Sequence, residues 1–305
     1  MVLDRRQFLT ASSLALLGSA VRVRAWAQAA PQATPQTAFT DLRGGVGIFT
    51  GNGGTIGWLA TPDGALAVDS QFPQTAAACI AGLDERSPAG IELLVNTHHH
   101  GDHTAGNITF RPAVKTIVQH EHCAAWQKQV AQKAGTEAQQ AYADEIFTGD
   151  WQTTLGSETV MATYYGPGHT NGDVIVFFSH ANVVHMGDLM FNRLHPFIDR
   201  PAGASIRNWV KTLERVAGRF DAETLFIFGH GQDGKVTGAS KDLLRFRDYL
   251  TAALDYAQKG VATGRSKEEI AKLPALQGFT DYASPSPMLS LGAVLGVAYD
   301  ELTAR

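Results

Sequence analysis

A chain of 305 residues with 44% hydrophobic and 18% charged positions reads as a soluble globular protein with enough apolar material for one large domain or two fused halves. Its formal net charge of −4 becomes −7 once residues 1–27, with four arginines and one aspartate, are set aside, which argues against a polyanion partner such as nucleic acid. The two cysteines, Cys79 and Cys123, have no CxxC spacing, so neither a disulfide framework nor a cysteine metal knot is indicated. A single bridge between them and two small buried side chains both stay open.

The N-terminus differs from the rest. Asp4-Arg5-Arg6-Gln7-Phe8-Leu9 leads into the apolar run Leu14–Leu17, and Ala25-Trp26-Ala27 offers a small-x-small cleavage site, the layout of a signal peptide over residues 1–27. The paired arginines resemble the twin-arginine export signal, which implies the twin-arginine translocase as a partner during export and a periplasmic location. No stable membrane anchor is expected, because the apolar run is far shorter than the roughly 20 residues of a span. Residues 28–38, rich in Ala, Pro, Gln and Thr, read as a flexible lead, and residues 39–305 as the folded domain.

In that domain Val46–Thr50, Thr55–Ala60 and Ala65–Asp69, separated by glycine-rich turns, predict a β-meander. A helix over Thr75–Glu85 then precedes a strand at Ile91–Asn96, and a strand at Val114–Val118 precedes a helix over His122–Ile146. The second half repeats the theme with strands at Glu158–Tyr165, Val174–Ser179 and Asn182–Met186, the last two a hairpin across His180-Ala181. A helix over Ala204–Phe220 and a strand at Thr224–Phe228 follow. Beyond Gly231 the patterns of Asp242–Lys259, Lys267–Leu273 and Pro287–Ala304 are helical.

The chemistry is concentrated at the end of the strand Ile91–Asn96, where His98-His99-His100-Gly101-Asp102-His103 packs four imidazoles and a carboxylate into six positions. In an extended segment His98 and His100 face the same way, and a turn at Gly101 brings Asp102 and His103 toward a second point nearby. Imidazole and carboxylate suit zinc, but a four-coordinate site needs donors from elsewhere. Three candidates sit beside glycines at strand ends: His169 in Gly166-Pro167-Gly168-His169-Thr170, Asp188 after Gly187, and His230 between Gly229 and Gly231.

This HxHxDH pattern, followed in order by the PGHT-like turn, the aspartate after glycine and the late histidine, resembles the metallo-β-lactamase superfamily over roughly residues 40–232. The resemblance implies an α/β fold, a four-layer αββα sandwich of two pseudo-equivalent halves with two zinc ions at one edge between the sheets. His98, His100 and His169 would hold the first ion, Asp102, His103 and His230 the second, with Asp188 bridging and Asp69 supporting a ligand imidazole from behind. A zinc-bound water acidified to near pH 7 and shared by two ions would be the nucleophile, with Asp102 orienting it and relaying a proton. Arg193 and His195, in the segment after Asp188, are candidates for the substrate rim, Arg193 as the partner of a substrate carboxylate. His99, His120, His122, His180 and His185 read as supporting, core or surface residues, and Trp58 and Trp209 as core.

Hydrolysis of a small-molecule carbonyl substrate (lactone, ester, thioester or β-lactam) is the leading reading, and an iron-dependent oxidoreductase of the same fold, such as a persulfide dioxygenase, the alternative. A diiron reductase carries a carboxylate in place of the second motif histidine, whereas this chain has His100. True β-lactamases of this fold commonly carry Cys or Ser where Asp188 stands, so lactones and esters rank above β-lactams. A glutathione thioester is disfavoured by the expected export and by the Asn192-Arg193-Leu194-His195 loop, which lacks a glycine-rich continuation.

Overall fold

The structure, a computed structural model, describes residues 36–304. The expected signal peptide and most of the expected lead lie outside the described residues. The first half runs β1 (Ala38–Arg43), β2 (Val46–Thr50), β3 (Ile56–Thr61), β4 (Gly64–Val68), α1 (Pro73–Arg86), β5 (Ile91–Asn96), the short α2 (Gly101–Thr104) and α3 (Asn107–Phe110), β6 (Val114–His120), α4 (Glu121–Ala134) and β7 (Glu145–Phe147). The second runs β8 (Asp150–Leu155), β9 (Glu158–Tyr164), β10 (Val174–Phe178), β11 (Val183–His185), β12 (Phe191–Asn192), α5 (Ile206–Arg219), β13 (Leu225–Ile227), β14 (His230–Gly231), β15 (Thr237–Gly238), α6 (Ser240–Ala262), α7 (Lys267–Ala271) and α8 (Leu291–Thr303).

Strands β1 to β7 form one sheet in chain order, and a second sheet has the order β15-β13-β11-β10-β9-β8. Strand alternation then divides the apolar residues among three cores. Ile48, Leu59, Leu66 and Val95 of the first sheet meet Val160, Val176, Phe178 and Ile227 of the second in the layer between them. On the outer face of the first sheet, Phe49, Trp58, Ala67 and Leu94 pack with Cys79 and Leu83 of α1. On the far side, Val184 and Phe226 of the second sheet pack with Trp209, Phe246, Tyr249 and Leu295 of the C-terminal helices. Three cores make four layers, an αββα sandwich. Trp58 and Trp209 are core, and Cys79 and Cys123 are both buried free thiols, so the bridge left open by the sequence is not formed.

Several expectations need correction. The helix expected to reach Ile146 ends at Ala134, where Gly135 takes a left-handed φ of 66° and returns its N–H to the Ala131 and Gln132 carbonyls. Ile146 belongs instead to β7, parallel to β6. Strands β1 and β8, unrecognised in the sequence, extend the two sheets at their edges. The helix expected from Pro287 begins at Leu291, because the Ser290 hydroxyl caps it by accepting from the Ala293 N–H. Residues 287–290 are therefore free of the helix. No described helix is long and apolar enough to cross a membrane.

Candidate metal centre

Both sheets end at one edge, and every donor singled out in the sequence arrives there. The parallel pairing of β4, β5 and β6 places the loop Thr97–His100 and α2 at their C-terminal ends. His169 comes from the loop between β9 and β10, Asp188 from the turn after β11, and His230 from β14, whose parallel pairing with β12 sets it opposite Phe191. The donor atoms form two groups: His98, His100, His169 and Asp188 in one, Asp102, His103 and His230 in the other, with the donors of each group within 4.8 Å of one another. Asp188 reaches both, with Oδ2 3.4 Å from His169 Nε2 and 3.4 Å from His230 Nε2, and Oδ1 3.0 Å from His103 Nε2.

The hydrogen bonds behind the rings decide what the rings present in front. His169 Nδ1 lies 2.8 Å from the Phe197 carbonyl, which can only accept, so that nitrogen carries the proton and Nε2 is bare. His100 Nε2 donates to Asp199 at 2.9 Å, leaving Nδ1 bare. The Thr97 hydroxyl spends its proton on Asp69, so His98 Nδ1 donates to it and His98 Nε2 is bare. The bare nitrogens of His98 and His169 stand 3.1 and 2.9 Å from that of His100, three lone pairs facing one another with no proton between them. Burial keeps His98 and His169 neutral, pushing His98 well below the usual histidine range and His169 down to about 3.

The second group is charged differently. His103 Nδ1 donates to Asp69 at 2.7 Å. Burial disfavours a charged His103, but Asp188, Asp102 and Asp69 outweigh it and hold the ring well above the ordinary range. The same opposition, with Asp188 and Asp102 prevailing over burial, raises His230 to about 9. Burial works against the charged carboxylates too, yet the facing rings hold Asp102 down to about 2 and Asp188 well below its ordinary value. His103 Nε2 and Asp188 Oδ1 are both buried and face each other at 3.0 Å. Convergent bare nitrogens and a buried set made entirely of imidazoles and carboxylates fit divalent ions such as zinc.

Two glycines are required here by close approach. A Cβ on Gly54 would run into the His103 ring, and one on Gly229 into Asp188 Oδ1. Behind the loop, Asp69 adopts a left-handed φ of 70° that lets one carboxylate accept from Thr97 N, Thr97 Oγ1 and His103 Nδ1, each at 2.7 Å. The sequence reading did not find Asp199 or the Phe197 carbonyl. Both lie in an irregular stretch, and only an acidic residue after the Asp188 loop hints at the former.

Arg193 and His195 do not reach the cavity. The chain turns at Arg193 through a left-handed φ of 58°, and Leu194 after it faces the donors while Arg193 and His195 lie off the cavity lining. Arg193 pairs with Asp281 at 3.2 Å, and buried His195 shares a 2.6 Å hydrogen bond with the Tyr249 hydroxyl. Backbone bonds from His195 N to Ala283 O and from Ala283 N to Arg193 O bind this stretch to the C-terminal segment. Of the remaining histidines, His185 is buried against the Thr55 carbonyl, His180 is exposed, and His99 is buried with its Nε2 3.6 Å from Asp199.

The family model described as Metallo-beta-lactamase superfamily matches residues 50–230, and the chain belongs to that superfamily. Metallo-beta-lactamase IND-1 of Chryseobacterium indologenes is 27% identical over 152 residues, 49% of this chain and 59% of that protein. A type 2 metallo-beta-lactamase of Bacillus cereus is 24% identical over 182 residues, 58% of this chain and 66% of that protein. Both matches span less than two thirds of the relative's length. Among solved structures, a metallo-beta-lactamase from Pontibacter korlensis superimposes with a TM-score of 0.58 at 18% identity, covering 71% of this chain and 99% of that one. A double mutant of the sec-alkyl sulfatase PisA1 gives 0.66 at 15% identity over 88% of this chain and 50% of that one.

Proposed function

We propose that the chain is an exported hydrolase that holds two zinc ions, the first on His98, His100 and His169, the second on Asp102, His103 and His230, with Asp188 shared, and that it opens a lactone or ester. The observation that carries this reading is the convergence of three bare imidazole nitrogens whose opposite nitrogens are all committed as donors. Bound there, a pair of divalent ions supplies a water acidified to near neutral pH and Lewis-acid polarisation of a carbonyl. The chain's residues do the rest. Asp102, 30% exposed and lining the cavity, orients the attacking water and takes its proton, while Asp188, buried behind it, offsets the charge of two cations.

Lactones and esters rank above β-lactams, the substrates in the relatives' names, because an aspartate at position 188 adds negative charge between the ions and lowers their power to stabilise an anionic amine leaving group. An alkoxide needs less help. Metal analysis of protein purified from its host, with a panel of lactones, esters, β-lactams, thioesters and an alkyl sulfate, tests the reading. Two zinc ions per chain and highest kcat/KM on a lactone or ester is the expected result. Iron in the site would return the oxidoreductase reading, and highest kcat/KM on a penicillin or carbapenem would overturn the ranking. Export is supported by Arg5-Arg6 and Ala25-Trp26-Ala27, and mass spectrometry should find a mature terminus near Gln28.

A further inference from the structure

The wall of the cavity facing the donors is apolar. Phe191, Leu194 and Phe197 on one side and Pro285, Met288 and Leu289 on the other enclose about 520 Å³, in the range of small-molecule sites. A second cavity of about 320 Å³ runs between Ile198 and the face of α8 that carries Ala293 and Val297, and it shares Phe197 and Met288 with the first. These two side chains are the boundary between the cavities, and Met288 is 63% exposed. Among the described residues no lysine or arginine lines either cavity, and the carboxylates that do, Asp102 and Asp188, stand with the histidines at the head and not along the apolar wall. The wall is built in rather than loose. The Phe197 carbonyl is held by His169, Tyr282 stacks on Tyr249 with ring centres 4.2 Å apart, and Ala283 is paired to the stretch after Asp188.

We infer that the two cavities form one track for a substrate with a hydrolysable head and an uncharged apolar chain: the head lies at the histidines, and the chain passes between Phe197 and Met288 into the groove against α8. The inference rests on the hydrolase reading for the head and on the shared lining for the tail. A carboxylate-bearing tail would find beyond the head apolar side chains, the Ser286 hydroxyl and no cationic partner, and burying it unpaired is costly. A methylene chain gains from every carbon withdrawn from water.

On the zinc-loaded chain, kcat/KM should climb through p-nitrophenyl acetate, butyrate, hexanoate, octanoate and decanoate, by roughly three- to fourfold per methylene while the tail is being buried. Val297→Asp, remote from the head, should flatten the upper end of that climb, and Met288→Ser, at an exposed position that spares the fold, should flatten its middle. A series that is flat or falling beyond butyrate overturns the track. Binding of neutral hexanamide, octanamide and decanamide to the metal-free chain, followed by calorimetry, separates the two readings. Affinity that rises with chain length while no ester is hydrolysed keeps the track and sinks the hydrolase reading; hydrolysis of acetate with no binding of decanamide does the reverse.

Discussion

The two donor groups share one carboxylate and one cavity, yet they sit in opposite electrostatic regimes. Around His98, His100 and His169 the outer hydrogen bonds aim ring lone pairs inward, and burial keeps His98 and His169 neutral, so a cation is recognised by geometry already in place. Around His103 and His230 the carboxylates Asp102 and Asp188, with Asp69 behind, favour protonated rings, so a cation arrives by displacing protons. One half of the centre is preorganised and the other is charge-compensated. The charge-compensated half is also the more open one, with Asp102 30% and His230 25% exposed.

The largest expected effect erases the comparison. Asp188→Ala removes the donor common to both groups, so occupancy of both ions should fall, and activity should drop by more than the roughly 10- to 100-fold typical of outer partners. Metal content per chain, measured beside activity, checks this; two retained ions with full activity would show that Asp188 is not shared.

Outer partners should separate the halves. Asp69→Asn keeps a residue type that tolerates the left-handed backbone, but it weakens the hold on His103 directly and on His98 through Thr97. Both ions should then bind roughly 10- to 100-fold more weakly. Asp199→Asn touches His100 alone among the donors, and the loss should be confined to one ion. Chelator competition that resolves the two ions reads the result, and equal losses in the two variants would mean that the halves are not separately supported.

His120 provides a control outside the centre. Burial pushes it down to about 4 from an ordinary 6.5, with His122 adding to the effect, and its Nδ1 caps α4 by accepting from His122 N. The folded state thus resists a proton that the unfolded chain accepts, so the contribution is fully present above pH 6.5 and is lost as pH falls to about 4. Urea midpoints of the parent should decline over that window more steeply than those of His120→Gln. Parallel curves would show that His120 is not held neutral by the fold.

Legibility followed the range of the interactions. The dense His98–His103 stretch and the glycine-flanked His169, Asp188 and His230 could be read because each donor carries a local signal at a strand end. The alternation that sorts Ile48 from Phe49 into different cores is local too. What escaped was set by distant partners: Asp199 earns its place only through His100, 99 residues away, and the cavity wall at Pro285–Leu289 only through Ala283 pairing with the stretch after Asp188. The early end of α4 escaped because an Ala/Gln-rich composition continues past Gly135 and hides the break.

The smallest expected effect concerns Arg193, where sequence and structure disagree most directly. From its place in the chain it is a candidate clamp for a substrate carboxylate, and losing such a clamp would raise KM. The backbone at Arg193 is left-handed, φ 58°, and Leu194 after it lines the cavity while Arg193 lies off the lining. Its guanidinium meets Asp281, which Arg245 also holds at 2.6 Å, so Asp281 keeps a partner when Arg193 is lost. A partly exposed pair of this kind contributes at most about 1 kcal/mol, and the backbone bonds to Ala283 survive truncation. Arg193→Ala should therefore shift KM by less than about fivefold, for neutral and carboxylate-bearing substrates alike, with kcat near its starting value. A KM rise beyond that limit confined to carboxylate-bearing substrates would return Arg193 to the binding site, and with it the case for an acidic substrate.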